Sequence, residues 1–242
     1  QSTESRDHTE RMFSAMGVNL QKVGLSLVLE PSELETVDVE IPGDISSAAF
    51  WMVAGVCHPD AELLIRNVGI NPTRAGIITA LKMMGADLTL VDEREVAGEP
   101  VADILVKTSQ LRGIELAGDI IPLLIDEIPV IAVAAAIAEG ETIIRDAEEL
   151  RVKESDRIHA SITWMNGAGI EAVGTPDGMI VSGGNSIGGG HFQSYDDHRL
   201  AMSLGVAGLV STEPITILDP DVAGISYPNF WKSIENLGGL VG

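Results

Sequence analysis

Two short stretches hold most of the side chains with obvious chemical capacity. Arg151-Val152-Lys153-Glu154-Ser155-Asp156-Arg157 packs three cations and two acids into seven residues, and Tyr195-Asp196-Asp197-His198-Arg199 follows downstream. A third cluster, Ser5-Arg6-Asp7-His8-Thr9-Glu10, lies near the start, and Asp126 sits among apolar neighbours in Leu124-Ile125-Asp126-Glu127-Ile128-Pro129. Guanidinium and ammonium groups beside carboxyls suit the binding of anions and the movement of protons at carbon or oxygen. Asp126, surrounded by apolar side chains, is expected to have its pKa raised by desolvation. A single mixed-charge cluster on an exposed helix is ordinarily a solvated ion-pair lattice worth little. Four of them at equivalent places in a repeat call for another reading.

That repeat comes from the elements around the clusters. Four segments carry a helix start, an amphipathic stretch and a closing glycine: 7–20, 71–88, 154–172 and 226–241. Asp7 with Glu10 reads as a capping box, Pro72 and Pro228 as first-turn prolines, and Ser155 as a cap. Gly17, Gly85, Gly167 and Gly238 read as left-handed helix ends. Three further segments set Asp44, Asp126 or Asp197 before a small-residue helix, each followed by a β-rich run: AELLIRNV, ETIIRDA and PITILDP. Spacings agree, with 126 − 44 = 82 against 157 − 74 = 83, and a shorter last unit. Three strand–helix–strand–helix–strand units thus fill about 37–242, with boundaries near 37–111, 112–187 and 188–242. Residues 1–36 read as the tail of a preceding copy, one helix and two strands. Units packed alike turn their helix N-termini, which favour anions, toward one face.

Composition bounds the rest. The formal charge of −21 disfavours nucleic acid and anionic membrane as partners, while clustered cations still serve a small anion. The longest apolar run, Ile128 to Ala138, contains Pro129 and reads as a buried helix rather than a membrane span. A lone Cys57 excludes an internal disulfide and suits a buried core position in a reducing compartment. His8 and His198 lack the spacing of a metal site. Asp44 reads as a helix cap, Met83 and Met84 as core fillers, and the GGNSIGGG run from Gly183 as a flexible turn without phosphate-loop chemistry.

RVKESDR followed by DDHR, with SRDHTE upstream and PGDISSAAF between, resembles the enolpyruvyl transferases. Within that family it is similar to the branch that makes 5-enolpyruvylshikimate 3-phosphate. The branch acting on UDP-N-acetylglucosamine shares the fold without RVKESDR. The resemblance implies an inside-out α/β barrel domain of three βαβαββ units, located in the cytoplasm. It implies transfer of the enolpyruvyl group of phosphoenolpyruvate to the 5-hydroxyl of shikimate 3-phosphate, with no metal or organic cofactor. It also implies roles. Glu154 would exchange the proton at C3, and Asp126 would receive or orient the hydroxyl. Ser5, Arg6 and Lys153 would contact shikimate 3-phosphate, Arg157 and Arg199 would grip phosphoenolpyruvate or glyphosate, and His198 would support its neighbour.

Two positions depart from the family pattern: Ile225 stands where some members have lysine, and Glu149 where some have asparagine. The family's Lys-Ser…Arg, Asn-Ser-Gly/Ala-Thr and Ser-x-Gln segments are absent from this sequence. The expectation is half of a site, inactive alone and completed by a complementary N-terminal half. The rival expectations are a transferase with another acceptor, and a non-catalytic domain that only binds a partner half.

Overall fold

Apolar helices occupy the middle of the molecule, and sheets form its outside. The computed structural model describes residues 4–242. In chain order the elements begin with α1 (His8–Ala15), β1 (Leu20–Val23), β2 (Ser26–Leu29), α2 (Ile45–Cys57), β3 (Glu62–Gly69), α3 (Gly76–Met83), β4 (Asp87–Val96) and β5 (Glu99–Lys107). Next come β6 (Glu115–Leu116), α4 (Ile121–Leu124), α5 (Ile128–Ile137), β7 (Glu141–Ile144), α6 (Arg157–Gly167), β8 (Glu171–Thr175) and β9 (Gly178–Ser182). The chain ends with β10 (Gly190–Gln193), α7 (His198–Val210), β11 (Ile215–Leu218) and α8 (Phe230–Asn236).

The repeat is visible in strand register. The fullest sheet has the order β6-β7-β9-β8, parallel between β6 and β7 and antiparallel beyond. The preceding segment has the order β3-β5-β4, with a parallel bridge from Gly43 to Val68 standing where β6 stands. The last segment keeps only the parallel pair β10-β11. The backbone repeats too: Asn67, Asp146 and Asp219, at matching places in the three β-rich runs, all adopt positive φ of 55–58°. Asn and Asp tolerate that left-handed conformation better than other non-glycine residues.

Helices α2, α5 and α7 pack on one another. Almost every residue of α2 and α5 is buried, because their sequences are apolar all round rather than striped. Phe50 and Phe230 meet edge-to-face at 5.7 Å, tying α8 to this centre. The stretch Gly118–Ile137 is longer than the apolar run suggested. Its most apolar 18-residue window has mean hydropathy 2.2, yet 72 % of it is buried inside the protein, as in a core element.

Several local expectations need correction. Asp7 makes no capping bond, because its carboxylate is taken by Arg11, Asn71 and Thr73. Pro72 and Pro228 lie in turns, and their helices start at Gly76 and Phe230. Asp156, not Ser155, caps α6 by accepting from His159 N, since Ser155 Oγ is engaged elsewhere. The left-handed glycine after α6 is Gly169, whereas Gly17, Gly85 and Gly238 are as expected. Met84 is buried but Met83 is half exposed. Cys57 packs partly buried against the core, and desolvation pushes its thiol pKa up to about 12. In the 183–189 segment Gly184, Asn185 and Ser186 are exposed, while Ile187 is buried and a Cβ on Gly183 would sit 2.2 Å from the carbonyl oxygens of Ala135 and Ala138.

Candidate active site

The starts of α2, α5 and α7 meet at one place. Ser46, at the start of α2, donates from Oγ to Glu127 Oε1 just ahead of α5, at 2.5 Å. Arg199 on α7 brings Nη1 within 3.8 Å of the same oxygen. Asp44 caps α2 by accepting from Ser47 N, as expected, and Asp197 caps α7 by accepting from Arg199 N. The entry to α7 is strained: Tyr195 and Asp196 are consecutive left-handed residues with φ 55° and 56°. Such conformations cost about 1–3 kcal/mol each and persist where their surroundings over-determine them.

Asp126 is the hub of the cluster. Arg6 Nη2 donates to its Oδ2 at 2.7 Å, and Arg157 Nη1 to its Oδ1 at 3.3 Å. Lys153 Nζ lies 3.7 Å away, and Arg74 and Arg199 each reach 3.8 Å. Five of the chain's 15 Lys and Arg thus surround one carboxylate in a protein of formal charge −21. The expected rise in its pKa is overturned. Burial does push Asp126 upward, but Arg199, Lys153, Arg6 and Arg157 together hold it below the ordinary aspartate value. The carboxyl that burial does raise is its neighbour, Glu127.

Arg157 is the most enclosed cation, with its side chain 1 % exposed. Its Nε donates to Asp197 Oδ2 at 2.8 Å and its Nη2 to Glu154 Oε2 at 2.6 Å. Asp197, fully buried, also accepts from Ser155 Oγ. Burial pushes Asp197 upward, and the hydrogen bond and charge of Arg157 outweigh it. Glu154 remains about half exposed, on the solvent side of Arg157. Lys153 divides itself between Asp126 and Glu149, the latter at 2.5 Å. His198 has its pKa lowered, first by burial and then by the charge of Arg199.

Arg6, Lys153, Arg157 and Arg199 therefore converge, with Asp126 and Glu154 between them. Ser5 is partly buried beside Arg6, which is itself left-handed at φ 57°. Arg151, from the richest motif, turns away to the carbonyls of Thr175 and Pro176 and to Asp156. His8 pairs with Glu99 at 2.8 Å. Among the described residues, no three His, Cys, Asp or Glu gather as a metal site.

Sequence reasoning missed Arg74, Glu127 and Ser46. A signal existed for the first: Arg74 precedes Arg157 by 83 residues, nearly the 82 that separate Asp44 from Asp126. Chemically, five cations and three helix N-termini form a receptacle for anionic groups, with a half-exposed carboxylate at its edge.

The model of the EPSP synthase family (3-phosphoshikimate 1-carboxyvinyltransferase) matches residues 1–234. The 3-phosphoshikimate 1-carboxyvinyltransferase of Gloeothece citriformis is 52% identical over 96% of this chain and 53% of its own length. That of Geobacter metallireducens is 51% identical over 96% of this chain and 54% of its own. The EPSP synthase structure from Acinetobacter baumannii superposes with a TM-score of 0.93 at 43% identity, over 98% of this chain and 55% of the other. The enolpyruvyl transferase NikO of Streptomyces tendae shares the fold, with a TM-score of 0.68 at 19% identity, over 93% of this chain and 51% of the other. The chain spans about half the length of the curated relatives it matches.

Proposed function

We propose that this chain, which belongs to the EPSP synthase family, supplies one half of a site for enolpyruvyl transfer from phosphoenolpyruvate to the 5-hydroxyl of shikimate 3-phosphate. Phosphate is released, and a complementary N-terminal half supplies the other wall. The observation that carries this reading is the ring of five cations around Asp126. Both substrates are polyanions, and both need fixed positive charge to be held side by side.

Arg157 and Arg199 hold phosphoenolpyruvate in this reading, while Ser5, Arg6 and Lys153 hold shikimate 3-phosphate. Asp126 starts as a strongly stabilised anion, which makes it a weak base. Incoming phosphates and carboxylates compete for Arg6, Lys153 and Arg199, and each cation drawn away raises the basicity of Asp126. It then accepts the proton of the attacking hydroxyl. Glu154, on the solvent side of Arg157, delivers a proton to C3 and later removes it. His198 supports Arg199 without touching substrate. Ile225 and Glu149, where the family pattern has lysine and asparagine in some members, modify the contacts. A reducing cytoplasmic setting suits a chain whose single cysteine is Cys57.

The test joins the purified chain to a complementary N-terminal half and follows phosphate release with shikimate 3-phosphate and, separately, UDP-N-acetylglucosamine. The expected result is turnover with the first acceptor only, none from the chain alone, and a loss of at least about 100-fold in Glu154→Ala. Undiminished turnover in that variant would sink the catalytic assignment, and preference for the second acceptor would sink the substrate assignment.

A further inference from the structure

Behind Asp126 lies a polar layer that the proposed proton transfers do not use. Arg74 Nη2 donates to Ser46 Oγ at 2.7 Å, and the same hydroxyl passes its own hydrogen to Glu127 Oε1 at 2.5 Å. Arg74 and Arg199 straddle the two adjacent carboxyls in the same manner. Each directs one terminal nitrogen toward Asp126 Oδ2, both at 3.8 Å. Each directs the other toward Glu127 Oε1, at 3.9 and 3.8 Å respectively. All four separations exceed hydrogen-bond distance, so these guanidinia are aimed but not saturated. Their side chains are 11 % and 16 % exposed, which leaves them reachable from solvent.

Glu127 itself is enclosed, with its side chain 0 % exposed, and its Oε2 has no hydrogen-bond partner among the described residues. A buried carboxylate oxygen without a donor is costly, and a proton on it removes most of that cost. The titratable and charged groups facing Glu127 are Arg74 from the turn before α3, Arg199 from α7 and its neighbour Asp126, with the hydroxyl of Ser46 from α2. The Ser46 hydroxyl, then the two cations, favour a negative charge there, against burial and Asp126.

We propose that Arg74 and Arg199 form a single two-guanidinium clamp for one phosphate or carboxylate group, held in position by Ser46 and Glu127, and that occupation of the clamp places a proton on Glu127. The proposal rests on the reading above for the class of anion and adds Arg74 as a binding residue, with Ser46 and Glu127 as positioning residues. An anion drawn into the clamp takes over the two cations that stabilise the Glu127 charge. Bulk solvent then supplies one proton, which forms an O–H bond on the enclosed carboxyl, and nothing else is made or broken. Burial already pushes Glu127 upward, ahead of the lowering by Ser46, Arg74 and Arg199.

Sulfate is the probe, since it carries no titratable proton in the neutral range. Its binding to the 242-residue chain is measured by calorimetry in two buffers of different ionisation heat, which counts protons exchanged. The expected result is proton uptake with the native chain, none with Glu127→Gln, and affinity lowered about tenfold in Arg74→Ala. Ser46→Ala, a smaller change, lowers both affinity and uptake and serves if Glu127→Gln does not fold. Equal uptake in native and Glu127→Gln chains, full affinity in Arg74→Ala, or no sulfate binding at all would overturn the proposal. None of these measurements needs turnover. A chain that binds sulfate as described but stays inactive with its complementary half would sink the reaction and leave the clamp standing.

Discussion

The start of α5 and the β1-β2 hairpin are both rich in aliphatic side chains, yet they meet opposite fates. Around α5 every apolar residue from Ile128 to Ala136 is buried, and the charges at its entrance are tied into a lattice with α2, α6 and α7. In the hairpin no residue is buried; Leu27, Val28 and Leu29 all stand about half exposed, and nearby Ile41 is 84 % exposed. Composition alone does not distinguish the two. At the α5 entrance Arg157 is paired with Asp126 and Asp197 within the described residues. The hairpin and the strip through Leu34, Val39 and Ile41 carry an apolar face of the kind that marks an interaction surface. In the proposed reading, the complementary half covers it.

The sharpest way to break this contrast is at Arg157. Arg157→Ala leaves the fully buried Asp197 without its main partner, and removing one member of a buried pair costs about 3–5 kcal/mol. Urea denaturation should register that loss, and a cost under about 1 kcal/mol would mean the lattice is not internally satisfied. Acid should act next. Asp126 and Asp197 have folded-state pKa values below the ordinary aspartate value of 3.8, so their contribution is present above that value and is lost as pH falls through the folded pKa values. His198, also lowered, contributes above 6.5 and loses that contribution as pH drops. Glu127 runs the other way: its contribution is full below 4.5 and fades as pH rises through its raised pKa. Denaturation midpoints measured from about pH 3 to about pH 7 should therefore climb with pH, and less steeply than in Glu127→Gln. A steeper climb in the native chain would contradict the assignment of Glu127. The smallest effect belongs to the hairpin. Leu27→Asn should change the stability of the chain alone by less than about 0.5 kcal/mol, while weakening its association with the complementary half. A larger loss in the isolated chain would show the hairpin to be part of its core.

The architecture was legible because it repeats. Asp44, Asp126 and Asp197 stand ahead of three largely apolar, small-residue helices, and the β-rich runs that follow became β3, β7 and β11. The convergence of Arg6, Lys153, Arg157 and Arg199 followed from that repeat together with the family resemblance. Tertiary competition for side chains was not legible. Asp7 has the residue type and spacing of a cap, but Asn71 and Thr73, more than sixty residues on, claim its carboxylate. Ser155 loses the capping role to Asp156 because Asp197 claims its hydroxyl. Asp126 and Glu127 are adjacent acids in one apolar motif, and local sequence cannot say which is fully enclosed and which gathers more cations. Full enclosure raises Glu127, and the larger set of cations lowers Asp126.

The pocket is also assembled from distant chain segments. Ser46 and Glu127 are 81 residues apart, Arg157 and Asp197 are 40, and Arg6 and Asp126 are 120. Docking α2, α5, α6 and α7 closes the long loops between them, at an entropic cost that their apolar contacts must repay. Because the charged residues sit at the ends of those helices, the same docking that takes them out of water delivers their opposite partners, so this acidic chain buries no lone ion at Arg157 or Asp197.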